Sequence, residues 1–170
     1  IMNGHDEARE LLIQAGADPT GYEFAAATAG DVELFERLLA MTPPGPADDD
    51  TAWSIRFIGD PYRELLLAHF TFTPLQLGRI AEYDLELLEI ERFDRMLDRG
   101  VRPSNPHAGR LMAVAIAKDR LAWAEPFHHD LGLTAHLLEK GFAPHPVQQI
   151  WPLASAVGCD PAFEALLAAG

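Results

Sequence analysis

Catalysis and metal binding need side chains that ionise, ligate or attack, and in this sequence they are few and scattered. His128, His129 and His136, with Asp130, form the most metal-like group. Zinc takes three or four ligands converging at about 2.0–2.3 Å. Adjacent His128 and His129 point in different directions on a helix. His136 follows seven or eight residues later, too far for the usual i, i+4 ligand pair. Surface or packing histidines, and no metal, are expected. The triplet Asp48-Asp49-Asp50 lacks the alternating ligands, central glycine and distant glutamate of a calcium loop, which favours a solvated loop. Ser54, Ser104 and Ser155 have no GxSxG context, and Cys159 has no identifiable histidine partner. Neither a phosphate-cradling glycine loop nor an HExxH string is present. The expectations are no catalytic residue, no cofactor and no enzyme. A minor alternative is an enzyme built on an insertion at 120–135.

Composition narrows the partners. The chain has 170 residues, enough for one well-buried domain and at most two small ones. Its 48% hydrophobic and 23% charged residues lie in the range of ordinary globular proteins. The net charge is −13, and no two of the 13 basic residues are adjacent. Such a surface repels phosphate, so neither nucleic acid nor an anionic membrane is expected as partner. The charge fits a protein partner with a basic surface, or serves solubility alone. Cys159 is the only cysteine, which rules out an internal disulfide and suits a reducing compartment. No stretch approaches the roughly 20 apolar residues of a bilayer span, and the first ten residues lack the features of a signal peptide. The expected location is intracellular, in the cytoplasm, with the nucleus left open.

The elements that must position these residues come from an internal repeat. Two large apolar residues, two linkers and a turn residue recur at Leu12–Gly16, Met96–Gly100, Leu137–Gly141 and Leu166–Gly170. Leu38–Thr42 and Leu66–Phe70 keep the apolar pair without the glycine. The fifth positions fall at 16, 42, 70, 100, 141 and 170, spaced by 26, 28, 30, 41 and 29. That is a unit of about 30 residues with one copy enlarged. Upstream lie Gly4-His5-Asp6, Gly30-Asp31, Gly59-Asp60-Pro61 and Gly158-Cys159-Asp160-Pro161, at 12, 12, 11 and 12 residues from those marks. Each reads as one helix ending on glycine and the next capped by aspartate, with proline in its first turn. After Asp31 come Val32, Leu34, Phe35, Leu38 and Leu39, the i, i+3, i+4, i+7 stripe of an amphipathic helix. Alanine-rich segments at 24–27 and 153–157 suit close packing of helix on helix.

These residues resemble the ankyrin repeat. Thr73-Pro74-Leu75-Gln76-Leu77 looks like the family's TPLHLA opening, in which Thr caps the first helix and Pro starts it. Gly30–Leu34 looks like its mid-repeat turn, and Leu12–Thr20 like its second helix and exit into the β-turn finger. The resemblance implies an all-α fold, a solenoid of helix-turn-helix repeats with about five to six copies and partial repeats at both ends. The units are roughly 1–19, 20–50, 51–71, 72–103, 104–144 and 145–170 of a single solenoid, expected to be part of a longer array. The sequence departs from the family pattern in several places. Gln76 stands where the family has histidine, and residues 43–50 replace a tight finger with a proline-rich acidic loop, expected to be solvated and mobile. Residues 85–95 are expected to lengthen a second helix, and Pro126 to interrupt any helix in the enlarged copy.

The function this implies is non-catalytic protein binding on a concave face. The alternative is a structural spacer or regulatory segment packing within a larger protein. The expected contact set is Tyr22, Trp53, Arg56, Arg79, Arg110 and Trp151, because Trp and Arg are enriched where interfaces draw their energy. Trp53, Trp123 and Trp151 equally suit packing between repeats. Replacing Trp53 or Trp151 by alanine is expected to weaken a partner and leave the chain folded. A sharp fall in melting temperature with affinity intact assigns that tryptophan to the core.

Overall fold

Three of the described helices end where one residue takes a left-handed backbone, at Leu88, Gly100 and Gly141. Gly100 and Gly141, at φ 114° and 84°, show how. The Gly100 amide donates to Leu97 O and the next amide, of Val101, to Met96 O, both at 3.1 Å. Gly141 and Phe142 repeat this on Leu138 and Leu137 at 2.9 Å. This paired closure satisfies carbonyls that a helix end leaves open and sends the following apolar residue inward. Val101 and Phe142 are accordingly buried, as are Met96 and Leu137. The two copies without glycine stop differently: Thr42 and Phe70 are extended, and the Thr42 hydroxyl donates to Leu38 O at 3.0 Å.

The structure, a computed structural model, describes residues 15–16, 26–27, 30–124, 129–142 and 158–169. Among these the fold is all-α, with eight helices and no strand. None of the helices is long and apolar enough to cross a membrane. The chain divides into two compact units, 1–72 and 73–170.

The first unit holds α1 (Val32–Met41), α2 (Asp49–Ser54) and α3 (Tyr62–His69). Asp31 caps α1 by accepting from the Leu34 amide at 2.9 Å, as expected of the Gly-Asp turn. Leu34, Phe35, Leu38 and Leu39 form its buried face. Phe35 meets Tyr62 of α3 edge to face at 5.0 Å, and His69 at the end of α3 donates to Thr42 O at 2.8 Å.

The second unit runs through α4 (Pro74–Glu86), α5 (Ile90–Asp98), α6 (Ala108–Trp123), α7 (Leu133–Glu139) and α8 (Asp160–Ala168). Helix α4 packs on α5 and α6, while α6 packs on α7 and α8, and α7 on α8. Ile80, Leu85, Phe93, Met96, Leu111, Ile116 and Leu137 are fully buried at the centre. Each contributes about 1.5–3 kcal/mol of burial, far more than the propensity of such short helices. Thr73 and Gln76 form the expected cap of α4 as a reciprocal pair, with the Thr73 amide donating to Gln76 Oε1 at 2.9 Å. Helix α7 is capped from a distance. Both carboxylate oxygens of buried Asp119, in α6, accept from the Leu133 and Thr134 amides at 3.0 and 2.8 Å.

Four expectations need correction. Residues 85–95 do not form one long helix, because the chain turns at 87–89 between α4 and α5. The turn uses the same paired closure, Leu88 N to Leu85 O at 3.2 Å and Glu89 N to Asp84 O at 2.9 Å, with Leu88 at φ 62°. It stands twelve residues before Gly100, the spacing of the Gly-Asp turns, but with leucine in place of glycine. Residues 43–50 are largely exposed, but they are not loop throughout. Thr71 N donates to Gly45 O and Ala47 N to Thr71 O, both at 2.8 Å, and Asp48 caps α2, which starts at Asp49. At Gly59-Asp60-Pro61 the cap position is Pro61, so Asp60 sits one residue too early to cap and Gly59 is not left-handed. At the start of α8 Cys159 is the cap and Asp160 lies inside the first turn, where its charge faces the positive helix end.

A leucine in the left-handed region costs about 1–2 kcal/mol that glycine would not. Leu88 is 44% exposed, so little packing offsets this. Leu88→Gly is expected to raise the unfolding free energy by about 0.5–1 kcal/mol in a urea titration. A decrease would show that the leucine side chain contributes more than its backbone costs.

Candidate binding surface

The residues Ala52, Trp53, Ile55, Arg56, Phe57 and Ile58 divide by direction. Ala52, Ile55 and Ile58 are buried and anchor α2 and the turn after it to the first unit. Trp53 and Phe57, one helical turn apart, remain 60% and 59% exposed. Their rings meet edge to face with centroids 5.7 Å apart. The Arg56 guanidinium lies 3.6 Å from the Trp53 ring centre and 5.9 Å from that of Phe57. Its Nε also donates to Trp53 O at 3.4 Å. A cation over an indole face contributes about 0.5–1 kcal/mol at an exposed site, which favours one arrangement of the three side chains. Asp48 fixes the start of this helix, accepting from the Thr51 amide at 2.7 Å. That backbone hydrogen bond holds its carboxyl below the ordinary value. Asp49 and Asp50 are exposed and precede Trp53 by four and three residues, on the same helical face.

A second cluster joins α4 to α6. Glu82 of α4 is buried and receives both His107 Nε2, at the start of α6, and Arg110 Nε, one turn into it. Asn105 completes the join: its amide donates to Pro74 O at 2.6 Å and its oxygen accepts from the His107 amide at 2.8 Å. Gly78 lets the two helices approach, since a Cβ there would lie 2.6 Å from both Asn105 Oδ1 and His107 Cβ. Burial pushes the Glu82 carboxyl up, but the hydrogen bonds and charges of His107 and Arg110 outweigh it and hold the group below its ordinary 4.5. The hydrogen bond and charge of Glu82 in turn raise Arg110.

The expected contact residues are thus placed unequally. Trp53 and Arg56 are in contact, and Trp53 is exposed. Arg79 is exposed on α4, and Arg110 is exposed on α6 but held by Glu82. Tyr22 and Trp151 lie outside the described residues. Phe57, Glu82 and His107 were not anticipated. The i, i+4 spacing of Trp53 and Phe57 was a usable signal for the first, whereas nothing local in sequence links Glu82 to residues 25 and 28 positions away.

The groups first weighed for chemistry are dispersed. Among the described residues no group of three or more His, Cys, Asp or Glu could hold a metal ion. His136 Nε2 pairs with Asp94 at 2.7 Å, His129 is exposed, and His128 lies outside the described residues. Cys159 is buried, and burial pushes its thiol up, away from the thiolate a nucleophile needs. No protein-family model, curated protein or solved structure matches this chain.

Because the folded Glu82 carboxyl ionises more readily than an ordinary glutamate, its contribution is present above about pH 4.5 and is lost as pH falls through the folded value. Glu82→Gln is expected to cost roughly 1–3 kcal/mol at neutral pH, by weakening a buried hydrogen-bonded charge. The gap from wild type, followed by denaturant midpoints, should close on acidification below that point. A gap that stays constant into strong acid would refute the assignment.

Proposed function

We propose that this chain is a non-catalytic recognition scaffold of ankyrin-like helix pairs that binds a protein partner. The order of packing in the second unit supports the repeat reading: α4 lies on α6, α7 on α8, and His136 of α7 reaches Asp94 of α5. If α4 and α6 are read as first helices and α5 and α7 as second helices, this is the order in which stacked repeats would pack, since a single pair cannot bury its faces alone. The turn at Leu88 supports it too, by restoring the twelve-residue spacing in a copy without the glycine.

One observation carries the binding reading: Trp53 and Phe57 are exposed side by side, with Arg56 stacked on them. Large exposed aromatics flanked by arginine are the side chains that dominate interface energy, and a folded chain gains little by leaving them in water. A reducing, intracellular setting fits the single buried cysteine. The spacer reading draws on other residues, Leu121 and Leu167 of the second unit, 71% and 56% exposed. Those two would be covered by a neighbouring domain of the same polypeptide.

Affinity capture with the intact chain and with a Trp53→Ala/Phe57→Ala variant separates the two. A stoichiometric partner lost in the variant is expected, with the circular dichroism of the chain unchanged. A partner retained by the variant, or crosslinks running only to other parts of a parent chain, would sink the aromatic surface as the binding site.

A further inference from the structure

We infer that the Trp53–Phe57 surface takes a basic segment of its partner, with lysine or arginine stems lying across the rings and their charged heads on Asp49 and Asp50. The inference rests on the recognition reading above and adds the chemistry of what is recognised. Three observations lead there. Trp53 and Phe57 leave more than half their surface in water, so an occupant must bring apolar atoms to cover them. Asp49 and Asp50 stand exposed one helical turn before Trp53, on the side of α2 that the indole occupies. An apolar residue with a neutral or acidic neighbour would cover the rings but face those carboxylates at a cost. A lysine or arginine satisfies both, because its aliphatic stem covers ring surface while its head reaches an anion.

The third observation is Arg56. Its guanidinium already rests 3.6 Å from the Trp53 centre, so this indole face draws a cation. Placing a second cation over the opposite face would be repelled by the first. The incoming heads are therefore directed to the carboxylates and only their stems to the rings. The overall charge of −13 acts in the same sense at longer range, speeding encounter with a basic partner and repelling an acidic one.

The test must separate this site from the general pull of an acidic protein. The probe is a fluorescein-labelled synthetic peptide of alternating lysine and leucine, with a glutamate–leucine peptide of equal length as control. Binding to the full chain is followed by anisotropy. The basic peptide is expected to bind and the acidic one not to. Trp53→Ala is expected to weaken the basic peptide about tenfold or more, as for an interface anchor. Asp49→Asn/Asp50→Asn is expected to weaken it about threefold to tenfold and to flatten its salt dependence. Glu33→Gln/Glu36→Gln removes the same charge from exposed positions of α1 and should leave affinity unchanged. If both charge-neutralising pairs weaken binding equally, or if Trp53→Ala has no effect, the attraction is diffuse and the inference is overturned. A natural partner that depends on Trp53 and Phe57, yet ignores Asp49→Asn/Asp50→Asn and is not displaced by the basic peptide, overturns the inference while the recognition reading stands. The absence of any Trp53-dependent partner counts against the recognition reading itself.

Discussion

Most of the described helices are too short to stand alone. Those described run from 6 to 16 residues, and isolated helices of that size are marginal in water. Each persists because one face is removed from water by its neighbours. Phe35 and Leu38 of α1, Phe93 and Met96 of α5, and Leu111 and Ile116 of α6 are all fully enclosed. Everything else depends on that enclosure: where helices end, which residues face out, and which charged groups can be held inside.

The turns follow from it directly. A short helix must stop on time for the next to fold back, and after α4, α5 and α7 a left-handed residue sets the moment. Leu88 shows how strong the requirement is, since the turn forms there despite a side chain that disfavours it. The polar interior follows as well. Where α4 meets α6 the join is Glu82, His107, Arg110 and Asn105 rather than leucines, and a buried carboxylate persists there because His107 and Arg110 both hydrogen-bond to it. Such a junction specifies one angle of approach, which apolar contact alone does less well.

Much of the architecture was legible because helix ends and apolar stripes are local. Asp31, Thr73 with Pro74, Gly100 and Gly141 act where their types and spacing placed them. The turn at Leu88 was not legible, because leucine is no stop signal and residues 85–95 read as one helix. Asp48–Asp50 looked like a solvated loop because a cluster of aspartates is equally a helix start, and only Ile55 and Ala52 packing inward decides between them. Of the binding surface, Trp53 and Arg56 were visible by type, while the arrangement that joins them with Phe57 is geometric. The Glu82 junction was invisible because its partners come together only through the fold.

The cap on α7 has a consequence for how such a chain can change. A helix is usually begun by a side chain just before it, so its starting point moves with the loop that leads in. Here Asp119 in α6 begins α7 from fourteen residues upstream, through two backbone amides. Register of α7 is thereby uncoupled from the number of residues that precede it. Residues can be added to or removed from this connection while the helix keeps its place, which makes it a point where the chain tolerates changes of length.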